Sequence, residues 1–174
     1  MSIPKAPKPA KLVIGLFMSE KALLTPVSEE LVKKFGPADI VSPWLPFDYT
    51  TYYEPEMGSK LFRRVFSFNN LINQESLSEI KVLTNKLESE FLKNNKRRIN
   101  IDPGYLLHER FVLATGKNFA HRIYIGMNIY ADLTLIYQKG AFQKLPWTYP
   151  DYADTRMLSF LEKVRKKYTS DLKP

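Results

Sequence analysis

The sequence predicts an α+β fold, and three observations support this prediction. Residues 12–19 form a short, largely apolar segment rich in β-branched residues, which is typical of a strand. Three later segments place apolar residues at steps of three and four, as amphipathic helices do. Between residues 99 and 145, short strand-like segments are separated by turn signals, which indicates antiparallel strands. A length of 174 residues matches one domain, so we expect these elements to share one core.

The first third of the chain is predicted to form two strands joined by a helix. Residues 12–18 are all apolar, so we expect a central strand that is buried on both faces. Residues 24–35 carry one apolar stripe, and Gly36-Pro37 is a typical helix end. Residues 38–47 predict a second strand, which its two prolines restrict to an edge position or cause to end early.

The middle of the chain is predicted to contain a loop, a strand and a second helix. Residues 48–60 follow neither the helical nor the strand period, so we expect a long polar-aromatic loop. Residues 60–68 alternate in the way that a strand does. Residues 77–91 carry an apolar stripe, with Asn73 or Ser76 as the expected cap of the helix.

The last third is predicted to form a β-meander and a C-terminal helix. Turns are expected at residues 116–118 and at Lys139-Gly140, and Asp151 or Asp154 is available to cap the helix whose stripe spans residues 157–168. The full order is therefore βαββαβ, followed by additional strands and one helix. That order is typical of a ferredoxin-like core, in which two helices cover one face of an antiparallel sheet. We expect the meander to extend that sheet.

Composition and charge define the expected boundaries and compartment. The net charge is +8, but +3 of it lies within residues 1–18 and +4 within residues 156–174. Because the charge is concentrated at the two ends, we rank nucleic-acid binding second among the candidate functions. We expect a flexible basic leader at residues 1–10, one domain at residues 11–170 and a tail at residues 171–174. The chain has no cysteine and no apolar run of about 18 residues, so we expect a cytoplasmic protein outside the membrane.

Several sequence motifs of well-known enzyme classes are missing. The chain contains no GxxxxGK[ST] loop, no GxGxxG after its first predicted strand, no HExxH and no GxSxG. These absences disfavour a conventional P-loop nucleotidase, a Rossmann dehydrogenase, a zincin and an α/β-hydrolase.

Acidic residues in the predicted loop and after a later strand are the first candidates for a site. Asp48, Glu54 and Glu56 stand among tyrosines, and such carboxylates bind hard cations or act as general bases. Asp102 is followed by a Pro-Gly pair, which we expect to form a turn that aims its carboxylate out of the sheet. We therefore consider Glu54, Glu56 and Asp102 as catalytic residues or ligands of a divalent metal ion, and Asp48 as a ligand-binding residue. The alternatives are hydrated loop acids and an Asx-type turn at Asp102.

Cationic side chains group at the predicted hairpin GKNFAHR. Lys117 and Arg122 are donors of the kind that bind phosphate or carboxylate, and His121 is a candidate catalytic residue. The alternative is a solvated hairpin tip with a surface His-Arg pair. Farther along the chain, Trp147 and Tyr149 either stack on a ligand ring or clamp the terminal helix to the sheet.

Five unusual strings of residues occur in order between residues 11 and 168. They are DYTTYYEPEMG, NIDPGY, LATGKNFAHRIYIG, ADLTLIYQKGAF and WTYPDY. Together they resemble an uncharacterised bacterial family, domain of unknown function 4416. The resemblance implies that the family's signature positions include Asp48, Glu54, Glu56, Gly58, Asp102, Gly104, Lys117, His121, Arg122, Trp147 and Asp151. It implies no particular activity, because the family brings no established activity with it.

Acids and cations at the ends of separate predicted strands can meet in one cleft. Such a cleft suits a phosphorylated or otherwise anionic small molecule, such as a nucleotide, with or without a divalent ion. We therefore predict binding of such a ligand, and hydrolysis or transfer by a carboxylate or His121 stays open. The alternative is a non-catalytic module whose exposed aromatic and basic residues bind RNA or a protein partner.

Overall fold

The computed structural model describes residues 1–173, which form one sheet of nine strands and four α-helices. The α+β class predicted from the sequence is therefore confirmed. No helix in this range is long and apolar enough to cross a membrane. The strands are β1 (Ala10–Met18), β2 (Ala38–Val41), β3 (Leu45–Phe47), β4 (Leu61–Ile72), β5 (Ile99–Leu106), β6 (Arg110–Thr115), β7 (Arg122–Tyr124), β8 (Tyr130–Gln138) and β9 (Ala141–Lys144). The helices are α1 (Leu24–Phe35), α2 (Glu54–Met57), α3 (Leu77–Glu90) and α4 (Thr155–Asp171).

Hydrogen bonding places the strands in the order β2-β4-β1-β5-β6-β8-β7, with β3 also paired to β4 and β9 to β8. All of these pairs are antiparallel. β1 lies inside the sheet, and all of its residues are buried, as predicted. Because successive side chains of a strand point to opposite faces, Leu12, Ile14 and Leu16 enter one apolar cluster and Val13 enters another.

Helices cover both faces of the sheet. α1 and α3 pack on one face through residues such as Leu31 and Ile80, and α4 packs on the other face through residues such as Leu161. Each such side chain contributes about 1.5–3 kcal/mol when it is fully buried, so the apolar stripes determine which side of each helix meets the sheet. The apolar stripe predicted over residues 77–91 includes Leu83, and this position was wrong: Leu83 is exposed on α3, and Thr84 is buried in its place.

Two of the three predicted helix ends are confirmed. α1 ends at Gly36, whose φ of 88° is the left-handed conformation that glycine adopts readily. α4 is capped by Asp154, whose carboxylate accepts a hydrogen bond from the backbone N–H of Arg156 at 2.9 Å. Neither Asn73 nor Ser76 makes a capping hydrogen bond to α3, so that prediction was wrong.

Several predicted elements are divided in the structure. Residues 38–47 form two short strands. Residues 105–115, which the sequence predicts as one strand of the meander, belong partly to β5 and partly to β6. Residues 121–137 are divided between β7 and β8 by a turn in which residues 126–128 all have positive φ. The loop predicted at residues 48–60 contains the single turn of α2.

The turn predicted after Asp102 was also wrong. Asp102, Pro103 and Gly104 all lie within β5 and pair with β1. β5 and β6 pair only where Gly104, Tyr105 and Leu106 meet residues 111–113. Alternate residues of a strand direct their backbone groups to the same side. The N–H and C=O of Ile101 bond side chains of α3 and not β1, so Pro103 also faces the side from which β6 has separated. Its missing N–H therefore removes no hydrogen bond from the sheet.

Gly104 is required by the close approach of β5 and β6. A Cβ atom at Gly104 would overlap the carbonyl oxygen of Val112, which belongs to the backbone and cannot rotate away. We expect Gly104→Ala to lower the free energy of unfolding by about 1–3 kcal/mol in urea denaturation. Gly116→Ala is the matched control, because a Cβ atom there meets nothing within 4 Å. Equal losses of stability in the two variants would contradict this explanation.

Candidate functional site

The separation of β5 and β6 opens a cavity of about 510 Å³. Asn100 and Asp102 of β5 line one side, and residues 113–117 of β6 and the following loop line another. The remaining walls come from polar side chains of α3 and from two tyrosine-rich loops around Tyr52 and Tyr149. The site therefore exists because two neighbouring strands pair over only three residues each.

Side chains of α3 take the place of β6 along the free edge of β5. Lys81 Nζ donates a hydrogen bond to the carbonyl oxygen of Ile101 at 2.8 Å, and the N–H of Ile101 donates to the Glu88 carboxylate at 2.7 Å. Both backbone groups are thus satisfied, as buried backbone requires. Sequence analysis missed Lys81 and Glu88, although their spacing offered a signal. With Asn85, they lie at steps of four and three and so share one helical face.

Glu88 is a titratable group in an unusual environment at the cavity wall. Burial raises the pKa of Glu88 to about 7, although the nearby charge of Lys81 acts in the opposite direction. Lys81 Nζ lies 4.0 Å from the Glu88 carboxylate and 3.7 Å from that of Asp102. A carboxyl group that is half-protonated near neutral pH can both donate and accept a proton.

The tyrosine-rich loop after β3 forms an aromatic wall. Tyr53 packs edge-on against Phe17, with ring centroids 4.7 Å apart, and Tyr52 packs against Tyr53 at 5.0 Å. Burial, and then the charge of Asp102, raises the pKa of Tyr53 to about 12. The Tyr53 phenol is therefore neutral at physiological pH.

Arg122 connects three parts of the site. Its Nε donates to Asp132 at 2.9 Å, its Nη1 to the carbonyl oxygen of Lys117 at 2.9 Å and its Nη2 to the Tyr149 hydroxyl at 2.7 Å. Both Arg122 and Asp132 are buried. Lys117 itself is exposed, and its Nζ lies 3.2 Å from the Tyr52 hydroxyl. Arg122 thus fixes the backbone that carries Lys117.

His121 and Trp147 lie beside the cavity and are not among the residues that line it. His121 Nε2 is 3.2 Å from the Asp132 carboxylate, and its ring stacks on Trp147 with centroids 4.9 Å apart. Trp147 Nε1 donates to the carbonyl oxygen of Leu133 at 2.8 Å. His121 therefore lies between Trp147 and the Arg122–Asp132 ion pair.

The loop acids are dispersed. Glu56 accepts two hydrogen bonds from the guanidinium of Arg97, at 2.8 and 2.6 Å, which lowers the pKa of its carboxyl. Asp48 and Glu54 line a second hollow, of about 400 Å³. In the described part of the chain, no three histidine or acidic side chains are arranged to hold a metal ion. Among the predicted site residues, the first cavity is lined by Asp102, Lys117, Arg122 and Tyr149, and it is not lined by Asp48, Glu54, Glu56, His121 or Trp147.

Most charges around the cavity are paired. The paired cations are Lys81 with Asp102 and Glu88, Arg97 with Glu56, and Arg122 with Asp132. Lys117 is the exception, since no carboxylate of residues 1–173 lies within 4 Å of its Nζ. Among residues 1–173, Lys117 is therefore the one cation of the cavity wall without a carboxylate partner.

Comparison with known proteins identifies a family. No curated protein and no solved structure shows significant similarity to the chain. One family model matches residues 8–168, which include every strand and loop that borders the cavity. The resemblance of the five ordered strings to this family is thereby confirmed. The chain belongs to the family described as a domain of unknown function (DUF4416).

Proposed function

We propose that the protein binds a small organic anion in the cavity between β5 and β6. The observation that carries this proposal is Lys117, the cation on the cavity wall that has no carboxylate within 4 Å among the described residues. A phosphate or carboxylate group beside Lys117 completes the pattern of paired charges. The cavity volume and the tyrosine wall are typical of small-molecule sites.

The surrounding residues support the same role. Arg122 uses three of its donors within the protein and so acts as a positioning residue for Lys117 and Tyr149. Asp102 supplies an acceptor for the uncharged part of a ligand. Glu88 adds a group that exchanges protons near neutral pH, which suits a substrate as well as a ligand.

A thermal-shift screen tests the proposal with inorganic phosphate, sugar phosphates, nucleotides, dicarboxylic acids and divalent ions. A ligand at 100 times its Kd adds about 2.7 kcal/mol of stability, which raises the Tm by roughly 5–10 °C for a chain of this size. Lys117→Met should weaken the affinity roughly 10- to 100-fold, because a hydrogen bond to a charged group contributes about 1.5–3 kcal/mol.

Lys163→Met is the matched control, because Lys163 is exposed on α4 and does not line the cavity. We expect this variant to bind as the wild type does. A shift that persists in Lys117→Met, or no shift with any anion, would refute the proposed site.

A second candidate function is a non-catalytic interaction module, which an apolar surface near β7 favours. Phe119, Ile123, Tyr124 and Met127 are all more than half exposed there. Exposed aromatic and apolar groups of this kind are typical of binding surfaces. The absence of any anion-induced shift, together with RNA retention that falls steeply with salt, would support this candidate.

We also propose that β2, β4, β1 and β5, with α1 and α3, form a ferredoxin-like core. Two observations support this. The four strands are adjacent in that order, and α1 and α3 contribute to the same apolar cluster on one face of the sheet. An experimental structure with the two helices on opposite faces would contradict it.

A further inference from the structure

We propose that the ligand of this cavity is a phosphorylated polyhydroxyl compound, such as a sugar phosphate. Its phosphate lies beside Lys117, and its hydroxyl groups bind Asn100 and Asp102. This inference rests on the proposed function, because it names the class of anion that the same cavity binds. It adds a second recognition point, for the uncharged part of the ligand.

Asn100 lines the cavity and carries a buried hydrogen-bond donor. Its amide oxygen accepts a hydrogen bond from Arg97 Nη1 at 3.1 Å, and Arg97 is held in turn by both carboxylate oxygens of Glu56. This chain of contacts fixes which end of the amide is the donor. Asn100 is 6% exposed, and its Nδ2 has no hydrogen-bond partner among the residues that the structure describes. An unsatisfied buried donor costs about 1–3 kcal/mol, so Nδ2 is expected to donate to a molecule inside the cavity.

Asp102 provides a hydrogen-bond acceptor next to this donor. It lies two residues beyond Asn100 on β5, so both side chains project from the same face of the strand. The cation nearest to it, Lys81 Nζ, is 3.7 Å away, and the Asp102 side chain is 28% exposed. A donor beside an acceptor suits hydroxyl groups, which both accept and donate.

The charges of the cavity wall determine which end of the ligand binds at Lys117 and which binds at β5. A phosphate at Asn100 would lie near Asp102, two residues farther along the same strand, whose carboxylate repels it. The cations there, Lys81 and Arg97, already have carboxylate partners. Lys117, whose backbone Arg122 holds in place, is a cation with no carboxylate within 4 Å among residues 1–173. The anionic group therefore lies at Lys117 and the hydroxyl groups at β5.

An aromatic surface and sufficient space complete the match. Tyr52 and Tyr53 line the same cavity, with ring planes at 87°. The C–H groups of a sugar ring pack on such aromatic faces, while its hydroxyl groups point away from them. The volume of about 510 Å³ falls within the range of roughly 300–1,000 Å³ that small-molecule sites occupy.

Isothermal titration calorimetry on the full chain tests this inference with three kinds of probe. The probes are ribose 5-phosphate and glucose 6-phosphate, the same sugars without phosphate, and inorganic phosphate. We expect at least one sugar phosphate to bind more than about tenfold more tightly than inorganic phosphate and than its own sugar, since each lost contact corresponds to about 1–3 kcal/mol.

The possible results separate this inference from the proposed function. If inorganic phosphate binds as tightly as both sugar phosphates, the hydroxyl site is refuted and the anion site stands. If neither inorganic phosphate nor a sugar phosphate binds but a dicarboxylic acid of the screen does, the sugar-phosphate inference is refuted and the proposed anion site stands. If no anion binds, both fail.

Substitutions locate the two ends of the ligand. Asn100→Leu removes the Nδ2 donor and should weaken sugar-phosphate binding about tenfold while inorganic phosphate binding stays unchanged. Lys117→Met should weaken both, and Lys163→Met neither. Equal losses for both probes in Asn100→Leu would overturn the assignment of the hydroxyl groups to β5. The ligand comparison on the wild-type chain needs no variant, so the inference remains testable if Asn100→Leu does not fold.

Discussion

Replacement of Asp132 by alanine is expected to lower the free energy of unfolding by about 3–5 kcal/mol. The Asp132 side chain is buried and contacts Arg122 Nε at 2.9 Å, His121 Nε2 at 3.2 Å and Thr134 Oγ1 at 3.2 Å. Its removal leaves the buried guanidinium of Arg122 without its carboxylate partner. Breaking a buried ion pair is costly mainly because the remaining charge stays in a poorly solvated site. Urea denaturation at neutral pH measures the loss.

A double variant separates the ion pair from the packing. Asp132→Leu combined with Arg122→Met removes both charges, so no unpaired charge remains buried. We expect the double variant to be more stable than Asp132→Ala alone, because apolar replacements of a buried pair are often tolerated. A double variant that is less stable than the single one would show that the ion pair is not the main cause of the loss.

Features of the fold that depend on local chemistry were predictable from the sequence. Gly36 ends α1 and Asp154 caps α4 through their immediate backbone neighbours. The turn at Lys139-Gly140 also forms, and both residues have positive φ. Pro103-Gly104 has similar turn chemistry but lies in β5, because β1 pairs with one side of it and β6 has left the other. The outcome there depends on which strands are neighbours, which local patterns do not specify.

The candidate site was predictable in part for the same reason. Asp102 and Arg122 were expected to share a cleft, and both line the cavity. His121 was grouped with Arg122 because the two are adjacent in sequence. Both side chains reach the Asp132 carboxylate, but only Arg122 lines the cavity, because the His121 ring stacks on Trp147 beside it. Asn100 lies inside an otherwise apolar strand segment, and Glu88 lies on a helix whose predicted apolar stripe does not include it. Polar residues that interrupt a buried face are the signal that identifies such positions.

Replacement of Glu88 by glutamine is expected to stabilise the protein above pH 7. Burial raises the pKa of Glu88 from its ordinary value of 4.5 to about 7 in the folded state. The folded state therefore holds this proton more tightly, so stability from this group is greatest below pH 4.5 and is lost as the pH rises to about 7. The full shift corresponds to about 3 kcal/mol. Glutamine retains an acceptor for the Ile101 N–H and has no charge to bury.

Urea denaturation at pH 4.5 and pH 8 measures this effect. We expect wild type and Glu88→Gln to differ by less than about 0.5 kcal/mol at pH 4.5, and the variant to be more stable by up to about 3 kcal/mol at pH 8. Glu79→Gln, on the exposed side of α3, is the matched control and should show no such gain. A variant that is less stable than wild type at pH 8 would contradict this prediction. It would mean that the attraction between Lys81 and the Glu88 carboxylate contributes more to stability than burial of the carboxylate costs. A gain at pH 8 would instead identify Glu88 as a residue kept at a cost to stability, which is expected of groups that serve a ligand.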